Sequence, residues 1–182
     1  MLAVQRGDET AFQRLFEKHA AGVVGFATQF VGARARAEEL VQDVFLQIYR
    51  TRARYTPRAR FTTWLYRMVT NACLSEVRRA DYQGRIQSID QPPAHGDDPA
   101  PTFEVPTRST EEVLLGREAL DTMRRALDDL PPQQKAALLL ARLEGMSYDD
   151  VAESLSCSVS AVKSLIHRAT VTLREHMRDA GE

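Results

Sequence analysis

The stretch "MSYDDVAESLSCSVSAVKSLIHRA", Met146 to Ala169, decides how the C-terminal third of the chain folds. Ser147-Tyr-Asp-Asp150 has the form of a capping box, in which a serine opens a helix and an acid three residues on reaches back to it. Val151, Ala152 and Leu155 then supply the inner face of a short helix. Ser156-Cys-Ser158 makes a turn, and Ser158 is suited to cap a second helix. Val159, Val162, Leu165 and Ile166 form the inner face of that helix. The small Ala152 lets the two helices cross steeply, so the spacing is that of a helix-turn-helix. Ser156 stands where many such turns carry glycine.

The outward face of the second helix is Ser160, Ala161, Lys163, Ser164, His167 and Arg168, and no acid occurs between Ser154 and Arg174. Hydroxyls, an ammonium, an imidazole and a guanidinium suit phosphates and base edges. A solvated basic face has the same composition, so this stretch alone leaves both readings open.

Working outward, "EEVLLGREALDTMRRALDDL" is amphipathic through Val113, Leu114, Leu120, Met123, Ala126, Leu127 and Leu130. Pro131 and Pro132 end that helix and suit the first turn of the next. "QQKAALLLARLEG" follows, with Gly145 expected as a left-handed C-cap.

Residues 86–112, "IQSIDQPPAHGDDPAPTFEVPTRSTEE", hold five of the eight prolines and six acids against one arginine. So polar a segment cannot bury enough surface to offset its ordering entropy. It predicts a flexible acidic linker with a charge of −5 between two helical domains, residues 1–85 and 113–182.

Upstream, apolar residues recur at spacings of three and four, which bury one face per helix. Ala11, Phe12, Leu15, Phe16, His19, Val23, Val24 and Ala27 form one stripe. Leu40, Val41, Val44, Phe45 and Ile48 form a second, and Phe61, Trp64, Leu65, Met68, Val69 and Ala72 a third. Glu38 and Glu39 near one helix start and Arg50 at its end suit the helix dipole. Between the second and third stripes lies the Arg-rich "RTRARYTPRARF". Strand signals are lacking, so the fold class predicted is all-α.

The net charge of −1 conceals an asymmetry. Residues 1–85 carry 14 Lys and Arg against 8 Asp and Glu, a balance of +6, whereas residues 113–182 stand at −2. No apolar run approaches the ~20 residues that span a bilayer, and "MLAVQRGDETAF" lacks the apolar core of a signal peptide. A cytoplasmic location is expected. Cys73, Cys157 and four scattered histidines do not have zinc-site spacing, so no metal or cofactor is expected. Without phosphate-loop, nucleophile-elbow or zinc-protease motifs, an enzyme is not expected either.

A basic helical domain, an acidic linker and a C-terminal helix-turn-helix together resemble an extracytoplasmic-function (ECF) sigma factor, of the sigma-70 family of bacterial RNA polymerase. "GDETAFQRLFEKH" looks like the start of region 2, and "AEELVQDVFLQIYR" like its polymerase-binding helix. "FTTWLYRMVTNACLSEVRR" looks like the helix that opens and reads the −10 element. "LPPQQKAALLLARLEGMSYDDVAESLSCSVSAVKSLIHRA" looks like region 4, the reader of the −35 element.

Residue by residue, the resemblance implies that Glu39, Leu40, Gln42 and Asp43 dock on the clamp of the polymerase largest subunit. Leu40, Val44 and Phe45 would then give an apolar anchor with a charged rim. It implies that Arg52, Arg54, Arg58 and Arg60 neutralise phosphates of the unpaired −10 strand, with Arg67 beside them. Tyr55 would offer a stacking face, and Asn71 would read a flipped base. Tyr55 folded back on the core is the alternative. In region 4, Ser160, Lys163, Ser164, His167 and Arg168 would meet the −35 element in the major groove.

The implied partners are core RNA polymerase (clamp, and flap of the second-largest subunit), promoter DNA and an anti-sigma factor. That factor could hold the chain at the membrane without inserting it; in holoenzyme the chain would lie with the nucleoid. The acidic linker, with Asp90, Asp97, Asp98 and Glu104, would thread toward the RNA path.

Two departures stand out. The family often has aspartate where this chain has Ser75. A tryptophan pair that wedges the duplex in primary sigma factors is here Trp64-Leu65, and apolar spacing puts Trp64 in the core. A Trp at position 65 is accordingly expected to relax promoter stringency. A self-standing helix-turn-helix regulator, its first domain sensing a ligand or dimerising, is the competing reading.

Overall fold

Side-chain caps at Asp8, Ser147 and Ser158 open three of the helices, and left-handed residues at Gly32 and Ser156 close two. The computed structural model describes residues 1–57, 60–87 and 120–179, and all regular structure among them is helical. A short α1 (Leu2–Gln5) leads through Gly7, at φ +95°, into α2 (Glu9–Val31). The Asp8 carboxylate accepts from the Ala11 N–H at 2.9 Å and so satisfies one of the free donors of α2. Gly32, at φ +74°, closes α2, and α3 (Arg34–Arg50) follows. A single 3-10 turn, Arg52–Arg54, then leads toward α4 (Phe61–Gln87).

Two compact units result. Among the described residues, one comprises α1–α4 with Glu153–Leu155, and the other residues 120–152 and 156–179. In the first unit α2 and α3 pack through aromatic edges. Phe12 meets Phe45 at 6.3 Å and Tyr49 at 5.0 Å, and Phe16 meets Phe45 at 4.9 Å. Phe26, absent from the expected stripe, is fully buried and meets Tyr66 of α4 edge-on at 5.4 Å.

This last contact fixes the rotation of α4. Its buried face is Leu65, Tyr66, Val69, Thr70, Cys73 and Leu74, whereas Phe61, Trp64, Met68 and Ala72 are only half-buried. Trp64, expected in the core, therefore lies half-buried at its edge. "WLYRMV" is apolar around most of a turn, so spacing alone could not settle which side faces inward. Tyr66 seated against Phe26 does.

In the second unit, α5 is described over residues 120–128 and Pro132 opens α6 (Pro132–Arg142). The Pro131 carbonyl accepts from the Gln134 N–H at 2.8 Å. Ala126, Leu130, Ala136, Ala137, Leu139 and Leu140 pack with Val162, Ile166 and Ala169 as the core. The Lys135 ammonium reaches the Asp128 carboxylate at 2.7 Å while its stem is buried. Gly145 is left-handed, at φ +62°, but α6 has already ended at Arg142. The glycine instead turns the chain so that the Met146 N–H meets the Leu140 carbonyl at 3.1 Å.

Of the expected linker 86–112, residues 86 and 87 belong to α4, and the remainder lies outside the described residues, as does Arg58. Among the described residues no helix is long and apolar enough to cross a membrane.

Candidate nucleic-acid interface

The helix-turn-helix forms by the local rules its sequence encodes. Ser147 Oγ accepts from the Asp150 N–H at 3.2 Å and donates to the Asp150 carboxylate at 2.6 Å, opening α7 (Tyr148–Leu155). Ser156 takes the left-handed conformation, φ +53°, and the Cys157 N–H reaches back to the Ala152 carbonyl at 3.0 Å. That bond pattern is a Schellman cap, which glycine would fill without strain. Ser158 Oγ accepts from the Ala161 N–H at 3.2 Å and starts α8 (Val159–Asp179).

Val162, Ile166 and Ala169 bury one face of α8. Ser160, Lys163, Ser164, His167 and Arg168 are all exposed on the other. Ala161, expected outward, is half-buried. The Ser164 hydroxyl donates to the Ser160 carbonyl at 3.0 Å, leaving its oxygen lone pairs outward. The five side chains thus share one surface that carries two cationic groups and no acid.

A second surface lies on the first unit. Arg60, Trp64, Arg67 and Asn71 follow spacings of four, three and four, and continue through Ser75 and Arg78 along one side of α4. Arg60, Arg67, Asn71, Ser75 and Arg78 are exposed, and the stripe contains no acid. Trp64 and Arg78 belong to it although the sequence reading left them out; the same helical spacing that joins Arg67 to Asn71 reaches both. The Arg60 carbonyl accepts from the Trp64 N–H at 3.2 Å, so the Arg-rich loop runs directly into this face.

The loop is ordered by its own side chains. Tyr55 packs on Trp64 with ring centres 5.1 Å apart, and Trp64 on Phe61 at 6.1 Å. Tyr55 is thus half-buried yet sits against the edge of the basic face. Arg52 lies over the Tyr49 ring at 4.1 Å and donates from Nη1 to the Tyr49 carbonyl at 2.8 Å. Its guanidinium holds the 3-10 turn in place, whereas Arg54 is exposed.

Ser75, standing where aspartate is common, donates to the Asn71 carbonyl at 2.8 Å. The adjacent Glu76 instead ties α4 to α3. Arg36 Nε lies 2.9 Å from Glu76 Oε1, Arg79 Nη2 lies 2.7 Å from the same oxygen, and Arg36 Nη1 lies 2.7 Å from Glu39 Oε2. The hydrogen bond from Arg36, joined by that from Arg79, holds the Glu76 carboxyl below its usual range.

On α3, Glu39, Gln42 and Asp43 are exposed, but Leu40 is only 6% exposed and Val44 and Phe45 are buried. Leu40, expected at the docking surface, therefore packs in the core beneath Glu39, Gln42 and Asp43. The apolar group that does reach the surface there is Leu46, 50% exposed, one turn beyond Gln42 and Asp43. A groove of about 250 Å³ runs alongside, lined by Phe16, Val24, Arg34, Glu38, Val41 and Gln42.

Known proteins carry the same two units. The family model for Sigma-70 region 2 matches residues 15–82, and that for Sigma-70 region 4 matches residues 120–173. The ECF RNA polymerase sigma-E factor of Haemophilus influenzae is 32% identical over 173 residues, spanning 91% of this chain and 87% of its own. This chain belongs to the ECF sigma factors.

The ECF RNA polymerase sigma factor SigE of Mycolicibacterium smegmatis is 33% identical to it over 180 residues; the match takes in 94% of this sigma factor but 64% of that longer relative. The sigma factor RpoE of Bartonella quintana, solved with the anti-sigma factor NepR, superposes with a TM-score of 0.71 at 21% identity. That match covers 92% of this chain and 97% of the other, and it shows the shared fold. The basic face of α4 lies within the region 2 match and the basic face of α8 within the region 4 match.

Proposed function

We propose that this sigma factor directs core RNA polymerase to one class of promoters by dividing the reading between its two basic faces. Ser160, Lys163, Ser164, His167 and Arg168 of α8 enter the major groove of the −35 element. Arg54, Arg60, Arg67 and Asn71, with Tyr55 and Trp64, take the unpaired −10 strand. The observation that carries this reading is the acid-free stripe from Arg60 to Arg78 with a packed, tilted aromatic pair at its head. Cations along a groove bind the backbone, and aromatic rings beside them stack bases. Arg52 contributes by ordering the turn, and Asn71 by offering both a donor and an acceptor to a base edge.

Glu39, Gln42, Asp43 and Leu46 form the ridge that docks on the polymerase clamp, and residues of region 4 meet the flap. An anti-sigma factor, of the kind bound in the Bartonella complex, would act by covering these surfaces. The domain limits that fit this reading are residues 1–85 for region 2 and 113–182 for region 4, joined by the acidic linker 86–112, into which α4 runs two residues. The protein works in the cytoplasm as an initiation factor whose contribution is recognition, the chemistry remaining with the polymerase.

Run-off transcription with purified core polymerase on a promoter library, paired with gel shift of the free protein, tests the reading. Transcripts from one promoter class, with weak binding by the free protein, are expected. Arg168→Ala should weaken promoter choice about 5- to 150-fold and keep core binding, since one bidentate base contact is worth about 1–3 kcal/mol of discrimination. Tight specific binding by the free protein, with no gain in transcription, would make it a self-standing regulator.

A further inference from the structure

The loop that carries Arg54 and Tyr55 is held from a distance of fifty residues by one side chain, that of Gln5. Its Nε2 lies 3.1 Å from the Ala53 carbonyl oxygen and 3.1 Å from the Tyr55 carbonyl oxygen. Both neighbours are acceptors, so the amide must present its nitrogen to them, and its two N–H groups match the two carbonyls. The side chain is half-buried. Its helix is itself fixed: Val4 is fully buried, and the Gly7 N–H returns to the Val4 carbonyl at 3.0 Å. Gln5 therefore reaches the loop from an anchored base.

The two carbonyls bracket Arg54. The turn's own bonds run from the Arg54 N–H to the Thr51 carbonyl at 2.9 Å and from the Tyr55 N–H to the Arg52 carbonyl at 3.1 Å. These bonds hold the first half of the turn, and Gln5 holds the second. With Ala53 and Tyr55 both gripped, the Tyr55 backbone stays extended, at φ −62° and ψ +124°, and its ring meets Trp64. The Arg54 side chain is left outward.

We infer that Gln5 is a positioning residue for capture of the unpaired strand, setting the loop from Ala53 to Tyr55 before the strand arrives. This inference rests on the reading that this loop and the α4 face bind single-stranded DNA. A loop already ordered in the free protein loses little conformational freedom on binding, and that saving appears as affinity. Without the amide, the loop would sample other turns, and each encounter would have to order it again.

The test uses the full chain assembled with core polymerase and a fluorescein-labelled single-stranded DNA oligonucleotide of random sequence, followed by anisotropy. Gln5→Leu removes both donors, and Gln5→Glu, equal in size, sets a carboxylate against two carbonyls. Both are expected to weaken strand binding by about 2- to 10-fold. They should also shift the emission of Trp64, the chain's single tryptophan, in the free protein. In a Tyr55→Ala background, Gln5→Leu should cost less than in the unaltered chain, because much of its effect runs through the Tyr55 ring.

Unchanged strand affinity in both Gln5 variants, alongside clear losses in Tyr55→Ala and Asn71→Ala, would overturn the role of Gln5 and leave the strand-binding reading standing. Losses that multiply in the double variant would also overturn it. If Tyr55→Ala and Asn71→Ala bind as the unaltered chain does, the strand-binding reading fails and this inference fails with it.

Discussion

The Tyr55 ring rests 5.1 Å from the Trp64 indole, tilted by 58° to it. The pair heads the stripe of Arg60, Arg67 and Asn71, where a base leaving the duplex would find an aromatic surface already assembled. Tyr55→Ala should lower the affinity of holoenzyme for single-stranded DNA about 5- to 150-fold, the range of one base–aromatic stack. Tyr55→Phe should retain most of it, since the ring does the stacking. Anisotropy with a labelled oligonucleotide separates the two.

Leu65 is fully buried, so the expected gain from a Trp at this position meets a packed core. Leu65→Trp should cost about 1–3 kcal/mol of stability through overpacking, read as a lower denaturation midpoint, with no relaxed promoter choice. Leu46, half exposed on α3, behaves oppositely. Leu46→Asp should leave the midpoint within about 0.5 kcal/mol and weaken core-polymerase binding measurably in a competition assay.

Ser156 holds a left-handed backbone that costs a residue with a side chain roughly 1–2 kcal/mol. Ser156→Gly should therefore stabilise the second unit by about 1 kcal/mol, and Ser156→Val should destabilise it. Urea denaturation followed by circular dichroism gives both values, and binding to −35 duplex should survive in the glycine variant.

Glu76 titrates below its ordinary value of 4.5 in the folded chain, because Arg36 and then Arg79 bind the charged form. The stability this lends is fully present above pH 4.5 and is lost as the pH falls through the folded value. Arg36→Met should move the Glu76 titration back toward 4.5 and flatten the acid limb of the stability profile. Carboxyl carbon NMR of Glu76 follows the first effect and thermal melts from pH 6 to pH 3 the second.

Legibility followed the range of the interactions. The helix-turn-helix was readable because Ser147, Ser156 and Ser158 act within four residues of themselves, and each does what its spacing says. The outward face of α8 followed from the same periodicity. The face of α4 was misplaced because Trp64, Leu65, Tyr66, Met68 and Val69 offer two apolar sides, and only the packing of Tyr66 on Phe26 chooses between them. The burial of Leu40 is not legible from sequence, because an apolar residue beside acids looks alike in a core and at a docking surface. Periodicity does not show the packing of Arg52 over Tyr49, because a loop arginine has no fixed face. Gln5 could not have been found at all: its partners lie 48 and 50 residues away, and both are backbone carbonyls.

The two cysteines fall one in each sigma region, and burial separates their reactivity. The Cys73 thiol is fully enclosed and pushed up to about 12, first by desolvation, whereas Cys157 is half-buried and raised to a lesser degree. Burial shields the Cys73 sulfur, so its alkylation should follow the opening of α4 from its neighbours. The rate at which that sulfur is alkylated is thus a stopwatch on the breathing of α4, running in the unmodified chain. Cys157 keeps time separately for the turn of the helix-turn-helix. Polymerase, DNA or an inhibitor that clamps one region would slow one clock and leave the other ticking.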